Sequence, residues 1–523
     1  MTTFNLQDGS DTRYRRKIKA REELREILGP YPRTQKVIMC HGAFDLVHPG
    51  HLRHLMYARG KADILVASLT SDSHISKANY RPFVPQMLRA LNLAALELVD
   101  FVIIDENPTP LDNISFLQPD FFAKGYEYFD GPGGIHPKTQ EEMEVLSSYG
   151  GEMIFTPGDV VFSSSRFIEQ TPPAIEVEKL MVLLESEGVT FDALSAALDR
   201  CQGRRVHVLG DTIVDSYVYC NPIGSSTSKT PTLSVKLEEQ VDFAGGAAVV
   251  ARHLRAAGAD VIFSTVLGDD PLKDFVLREM EARAVRCQAV IDPTRPTTQK
   301  SAYIANGYRL LKVDKVDNRP ISEKIVAQFK TALEQSHVDA YVFSDFRHGI
   351  FSKQTIPELT ASLREGPLRV ADSQVASRWG NILDFHGFDL ITPNEKEARF
   401  SLADQDSVIR PLALELYKRA GCKTLILKMG ERGIITYRAP SASVRSFFTI
   451  DSFASHVVDP VGAGDALLAY ATLGLTATGS PVIASVLASM AAGVACEHDG
   501  NTPVTPAQVL EKIKAVEKRV QFA

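Results

Sequence analysis

Two stretches of strand-and-helix alternation, separated by a stiff proline breaker, decide what this chain can fold into. From Lys36 the apolar pattern predicts a strand (Val37–Cys40), a glycine turn, a helix (Leu52–Arg59), a strand (Ile64–Leu69), a helix (Gln86–Leu96) and a strand (Phe101–Ile104). Such alternation builds a parallel sheet with crossover helices. It closes just after Ser163–Glu169, where Thr171-Pro172-Pro173 leads into charged, helical, linker-like sequence. A second α/β alternation opens with a strand at Val206–Leu209 and reaches a C-terminal helix around Val509–Val520. Size demands the same division, because single cores stop growing near ~250–300 residues and this chain has 523. The expected plan is a lead-in with a helix at Arg21–Leu28 over residues 1–34, a Rossmann-like α/β domain over 35–170, a linker over 171–188 and a larger α/β domain over 189–523.

The second domain begins differently from the first. Leu233–Phe243 and Ala302–Val313 are strand-like, and Asn306-Gly307 within the second is the dipeptide preferred in type I′ hairpins. These stretches are expected to form a small β-lid on the α/β body, with Gly245-Gly246 beginning the return to helix. Leu233, Val235 and Leu237 fall on one lid face, and Tyr303, Tyr308, Leu310 and Leu311 lie near the hairpin turn. An exposed apolar sheet with open edges needs a cover. The expected cover is a second copy, giving a homodimer through the lid, against the alternative of a lid folded back on its own subunit.

Composition narrows the function classes. A formal net charge of -7 argues against general attraction to nucleic acid or anionic membrane. The six cysteines are scattered with no CxxC pair, which disfavours a zinc site and a disulfide framework and fits a reducing compartment. No apolar signal core and no run of roughly 18 apolar residues occurs. The expectation is a cytoplasmic protein acting on small molecules, with neither nucleic acid nor membrane as partner.

The first chemical motif is His48-Pro49-Gly50-His51, which follows a strand and turn and precedes a helix. There, free backbone N–H groups and the positive end of the helix dipole favour phosphate. Two imidazoles one turn apart can donate to an α-phosphate as charge builds in an in-line displacement, with pyrophosphate leaving, and Gly50 admits close backbone approach. The bland alternative is a surface helix start that happens to carry two histidines. The run His41-Gly42-Ala43-Phe44-Asp45-Leu46-Val47-His48-Pro49-Gly50-His51, with Arg81-Pro82, Arg89, Val99-Asp100, Pro119-Asp120 and Lys124-Gly125-Tyr126-Glu127-Tyr128, resembles the nucleotidyltransferase superfamily that makes CDP-glycerol, CDP-choline and ADP-heptose. The resemblance implies catalytic roles for His48, His51 and Lys124. It also implies nucleotide or phosphate contacts at Phe44, Gly50, Lys77 and the Ser163-Ser164-Ser165-Arg166 segment. Asp159-Val160-Val161-Phe162 lacks the Arg and Gly of the glycerol-phosphate signature, which brings the ADP-heptose branch nearer. Cys40-His41 and Met87 depart from that branch, so ATP and CTP both stay open as the nucleotide.

The second motif is Asp459-Pro460-Val461-Gly462-Ala463-Gly464-Asp465, ahead of a small-residue helix. A glycine-flanked helix start presents N–H groups to a developing phosphoryl charge, and the aspartate can accept a proton from an attacking hydroxyl. Alternatively, Asp465 is an ordinary N-cap. The motif resembles the signature of ribokinase-like sugar kinases, whose other landmarks follow in order: Gly210-Asp211 with Asp215, Gly245-Gly246, Thr392-Pro393-Asn394-Glu395-Lys396-Glu397, and Lys428-Met429-Gly430-Glu431-Arg432-Gly433. The resemblance implies Asp465 as general base and sugar contacts at Asp211, Asp215, Gly245, Gly246 and Lys300. It further implies nucleotide-phosphate contacts at Asn394, Glu397, Lys428, Gly430, Gly462, Ala463 and Gly464, with magnesium held by Glu397 and Asp345.

Val208–Tyr217 and Ser344-Asp345-Phe346-Arg347-His348-Gly349 are most similar to the kinase half of the bifunctional heptose kinase and heptose-1-phosphate adenylyltransferase family, here with the two domains in reversed order. Val249 stands where that family has a substrate-binding Asn, His498 and Asn501 replace a Lys and a Thr, and Asp372-Ser373 lacks the usual Pro-Lys continuation. The implied activity is phosphorylation of a sugar phosphate at its anomeric hydroxyl by ATP and Mg2+, plus nucleotidyl transfer to a sugar 1-phosphate. The alternatives are another sugar, CTP in the first domain, or one domain reduced to a ligand-binding module.

Overall fold

Val37, Ile38, Met39 and Cys40 are all buried, the unbroken apolar run expected of a strand covered on both faces. They form the centre of β1 (Val37–Gly42) in a computed structural model that describes residues 11–75, 82–125, 137–156, 176–223, 234–374, 381–439 and 445–522. The chain divides into two compact units, one built on Met1–Val182 and one on Leu183–Ser407 with Pro411–Val520.

In the first unit β1 is flanked by β2 (Ile64–Thr70) and β4 (Phe121–Gly125), with β3 (Phe101–Asp105) and β5 (Glu152–Thr156) outside them. All pairings are parallel, in the order β3-β2-β1-β4-β5. The chain winds one way from β1 to β3 and then returns to β4, so the crevice at the carboxyl ends of β1 and β4 is the topological switch point where such sheets bind ligands. The helix after β1 runs Pro49–Arg59 and starts three residues earlier than the apolar pattern predicts, because Pro49 suits the first helical position and His48 caps it. The lead-in also belongs to this unit. Lys19 N donates to Val102 O and Val102 N donates to Lys17 O, both at 2.9 Å, so residues 17–19 cover the open edge of β3. Leu24 and Leu28 of the helix Arg21–Leu28 pack in the core with Val37 and Met39.

The second unit holds a sheet of nine described strands, ordered β10-β9-β6-β13-β14-β15-β16-β17-β18. The strands β6 (Arg205–Gly210), β9 (Asp260–Leu267), β10 (Arg286–Ile291), β13 (Ala340–Asp345), β14 (Leu368–Ser373), β15 (Leu390–Ile391) and β16 (Thr424–Lys428) are parallel, and β17 (Ile434–Arg438) and β18 (Phe447–Ile450) finish it antiparallel. Small residues let the helices Ala463–Thr478 and Pro481–Cys496 approach closely: a Cβ on Gly474 would stand 2.8 Å from the Cα of Ala484.

The lid is a separate four-stranded sheet of β12 (Tyr308–Lys315), β11 (Gln299–Ala305), β7 (Thr212–Pro222) and β8 (Val235–Gly246). Asn306 and Gly307 at the tip have φ of 51° and 78°, both left-handed as a type I′ turn requires. Leu233 lies outside the described residues. The sequence reading missed the length of β7, which leaves the body sheet after the single residue Asp211 and becomes a central lid strand.

Candidate active sites

The first site is assembled at the β1/β4 switch point. Phe44 takes a left-handed φ of 45° and buries its ring against His51, centroids 5.1 Å apart. His48 and His51 stack with centroids 3.9 Å apart. Gly50 N donates to His48 Nδ1 at 3.1 Å, which makes that nitrogen the acceptor and Nε2 the protonated position of the neutral ring. A Cβ on Gly50 would come within 2.8 Å of His48 Cε1. His51 Nδ1 meets the carbonyl of Leu46 at 3.0 Å. A carbonyl only accepts, so this nitrogen is protonated, and Nε2 can donate to an anion only when the ring carries its second proton. Burial lowers the pKa of His48, keeping it a neutral donor near pH 7.

Lys124, in β4, is held in an ion pair by the buried Glu142 of the helix Pro137–Ser147, a partner the sequence reading missed. His41 lies beneath the site, bonded to Ser68 Oγ at 2.9 Å and Thr70 Oγ1 at 3.1 Å, and burial with Lys124 nearby pushes its pKa down to about 4. Two further motif residues fix loops. Asp45 accepts from Phe83 N and Val84 N at 2.9 and 2.8 Å, and the fully buried Arg89 donates to Val84 O, Thr70 O and Asp72 Oδ1 at 2.9, 3.0 and 2.6 Å. Lys77, Arg81, Ser163, Ser164, Ser165 and Arg166 lie outside the described residues.

In the second unit the helix Ala463–Thr478 is capped by Gly462 at φ 83°, where a Cβ would meet Asn501 Oδ1 at 2.2 Å. Asp465 is therefore in the first turn and is not the N-cap. Burial, with repulsion from Asp372 and Glu397 that Lys428 only partly offsets, pushes its pKa up to about 7, where a general base is most useful. Lys428, ending β16, places Nζ 3.1 Å from Asp372 Oδ1 and 3.5 Å from where a Gly464 Cβ would stand. Burial works against the Lys428 charge, but Asp372 and Glu397 outweigh it and hold the pKa above the ordinary lysine value.

The Asn-x-x-Glu element is a capping box on the helix Glu395–Leu402. Glu397 N donates to Asn394 Oδ1 at 2.9 Å, and Asn394 N donates to Glu397 Oε2 at 2.7 Å. Burial pushes the Glu397 pKa up to about 7, Lys428 opposing and Asp372 adding. Gly430 has a left-handed φ of 61° with nothing within 4 Å of its Cβ position, leaving the turn after β16 open.

On the lid, Asp215 pairs in register with Lys300, and Lys300 with Asp314. Burial raises the Asp215 pKa, with Lys300 and Lys312 opposing; burial lowers that of Lys300, helped by Lys312. Gly246, at φ 62°, caps the helix Ala247–Ala256.

Two expected ligands also tie down loops. Asp211 accepts from the backbone N–H groups of Phe346, His348 and Ile350 at 3.1, 3.2 and 3.3 Å. Asp345 is fully buried and accepts from Arg347 N and Nε at 2.8 and 2.7 Å and from Ser373 Oγ at 2.7 Å. Val249 is buried in its helix and brings no polar group to a sugar. Asp372 was missed as a site residue. Its signal was position, at the carboxyl end of a parallel strand in an open α/β sheet.

Residues 204–508, more than half of the chain, match the family model of the pfkB family carbohydrate kinases. The chain belongs to the pfkB family. Residues 39–170, ahead of this pfkB region, match the cytidylyltransferase-like family model. The chain is 26% identical over 332 residues to the bifunctional protein HldE of Pelobacter propionicus, covering 61% of this chain and 65% of that protein. It is 27% identical over 331 residues to HldE of a Bradyrhizobium species, covering 62% and 65%, and 28% identical over 316 residues to HldE of Geobacter metallireducens, covering 58% and 61%. It thus spans just under two thirds of the length of these curated relatives. A solved phosphofructokinase-2 variant from Escherichia coli superimposes with a TM-score of 0.50 at 14% identity, covering 60% of this chain and 100% of that one, and shares the pfkB fold.

Proposed function

We propose that this pfkB-family chain is a bifunctional enzyme of nucleotide-sugar synthesis. Its second unit transfers the γ-phosphoryl group of ATP to the anomeric hydroxyl of a sugar phosphate resembling heptose 7-phosphate. Its first unit couples a sugar 1-phosphate to a nucleotide, ATP or CTP, and releases pyrophosphate. The observation that carries the reading is Asp465 in the first turn of the helix Ala463–Thr478, its pKa pushed up to about 7 beside Lys428. A base with that pKa, at a helix N-terminus whose dipole favours phosphoryl charge, is the equipment of hydroxyl-to-phosphate transfer.

The anionic character of the sugar is supported by Lys300 and Lys312, which act electrostatically on Asp215. Together they offer a carboxylate for hydroxyls and cations for a distant phosphate. Magnesium fits the nucleotide side. Glu397 is a hard oxygen donor, kept buried beside Asp372 and Lys428, and Mg2+ shares its coordination with phosphates and water. When bound, it would neutralise charge on the β- and γ-phosphates.

A homodimer through the lid is part of this reading. Leu237, Leu311 and Tyr308 of the lid are 58%, 56% and 76% exposed, an apolar display that proteins normally cover. No helix among the described residues is long and apolar enough to cross a membrane; the proposed location is the cytoplasm. The buried Val249 favours a second reading, in which the same two reactions act on a sugar other than heptose. Release of ADP across a panel of phosphorylated sugars, with heptose 7-phosphate included, tests both. No ADP release with any of them would remove the kinase assignment.

A further inference from the structure

We propose that Arg252 is a positioning residue of the kinase site: its guanidinium braces the root of the lid against the loop that packs on the helix of Asp465, and so fixes where the sugar sits relative to the base. The inference rests on the reading of the second unit as a sugar kinase. Arg252 lies in the helix Ala247–Ala256. Its Nη1 donates to the carbonyl of Ala244 at 3.4 Å, and its Nη2 donates to the carbonyl of Asn501 at 3.2 Å. Ala244 immediately precedes Gly245 in β8 and stands opposite Val214, so it belongs to the strand pair that seats Asp215. The side-chain amide of Asn501 lies against Gly462, its Oδ1 2.2 Å from where a Cβ would stand, and Gly462 caps the helix that carries Asp465.

The loop over 501–504 is gripped from both sides. His253, next along the helix, accepts from Val504 N through Nδ1 at 3.2 Å, and Tyr470 of the helix Ala463–Thr478 donates to Val504 O at 3.0 Å. The loop is therefore a wedge between the helix that leaves the lid and the helix that carries the base. Asp215 and Asp465 are close enough for the charge of the first to raise the pKa of the second. A sugar held by Asp215 thus meets Asp465 only if the wedge keeps its place.

The surroundings of Arg252 argue that it serves more than stability. It is 8% exposed, pairs with no carboxylate among the described residues, and leaves Nε without a partner. Burial, with Arg283 adding and Glu279 opposing, pushes its pKa down to about 10, so the cation stays charged near pH 7. Taking a cation out of water without a counter-charge is unfavourable, and two long bonds to carbonyls offset little of it. An apolar side chain of the same size would serve stability as well or better. What arginine adds is a planar fork that reaches two carbonyls at once.

The test uses the full chain with Mg-ATP and the phosphorylated sugar of the panel that gives the fastest ADP release. Arg252→Met keeps the volume and removes both bonds. It should melt near the parental temperature and bind Mg-ADP at the parental stoichiometry. Its kcat should nevertheless fall about tenfold or more, with KM for ATP and for sugar within about threefold, the pattern of misplaced reacting groups. Asn501→Ala leaves the carbonyl that Arg252 holds but removes the contact with Gly462. It should lower kcat in the same way, and it decides the matter if the methionine variant does not fold. The double variant should lose no more than the worse single one, because both changes act on one brace. Parental kcat in either single variant, or losses that multiply in the double variant, overturns the proposal. So does a fall in kcat matched by an equal fall in Mg-ADP stoichiometry, which marks a merely structural role. A parent that releases no ADP with any sugar counts against the kinase reading itself.

Discussion

A Cβ added to Gly245 would stand 2.2 Å from Oδ2 of Asp215, so the lid aspartate is seated in the space that the missing side chain leaves. The two strands are locked by antiparallel pairing, with Gly245 opposite Ile213 and Ala244 opposite Val214. Gly245→Ala is expected to displace the carboxylate and to lower kcat/KM for the sugar by about tenfold or more, as misplacement of a positioned group does. Steady-state kinetics against sugar and against ATP check it: the KM for ATP should stay near the parental value, and an unchanged sugar kcat/KM would remove Asp215 from sugar binding.

Asp465 acts as a base only when ionised, and its pKa is pushed up to about 7. The kinase kcat should therefore fall about tenfold per pH unit below that value. Asp465→Asn should lower turnover by about 10²–10⁴ and abolish this acid limb. Stability has the opposite sign. A carboxylate whose folded pKa lies above its unfolded one binds the proton more tightly in the folded state, so stability declines as pH rises from about 4 to about 7 and stays reduced above it. Asp465→Asn should thus melt above the parent at pH 8, with the difference shrinking towards pH 4, in thermal scans of both proteins.

In the proposed nucleotidyl transfer His48 and His51 act on the charge that develops. Replacing either with Ala should lower pyrophosphate release by at least about 10², with parental thermal stability and parental kinase rates in the same preparation. Parental pyrophosphate release in both variants would contradict the assignment.

Asp211 holds three backbone N–H groups of the loop after β13. Asp211→Ala leaves those donors unpaired in a buried loop, which should destabilise the second unit by on the order of 3 kcal/mol. Denaturant unfolding followed by a probe in each unit checks it. A loss of sugar affinity with stability unchanged would make Asp211 a sugar contact and not a loop staple.

Much of this was legible in sequence because glycine turns at strand-to-helix junctions report both fold and chemistry. His48 to His51 and Gly462 to Asp465 announce helix starts, and Asn306-Gly307 announces a hairpin. Less legible were residues whose role is set by partners far along the chain. Asp211 and Asp345 read as ligands, and the bonds they also accept from loop N–H groups, Arg347 and Ser373 are ones that no local pattern reveals. Asp372 lies 56 positions from Lys428 and becomes its partner only when β14 and β16 share a sheet. The lead-in reads as loose because residues 17–19 gain meaning only beside β3.

The lid face predicts assembly. Light scattering of the full chain at micromolar concentration is expected to give a dimer, and Val235→Lys, which puts a charge beside Val218 and Cys220 of the small lid cluster, should shift it to monomer. A monomeric parent would contradict the lid-mediated dimer.

The most direct test of a two-reaction chain is to follow label from ATP in one preparation supplied with phosphorylated sugars. Label in the γ-phosphate is predicted to appear on the sugar phosphate, and label in the α-phosphate of ATP or CTP is predicted to appear in a nucleotide-sugar when a sugar 1-phosphate is present. A preparation that moves only one of the two labels, whatever sugar is offered, would contradict it.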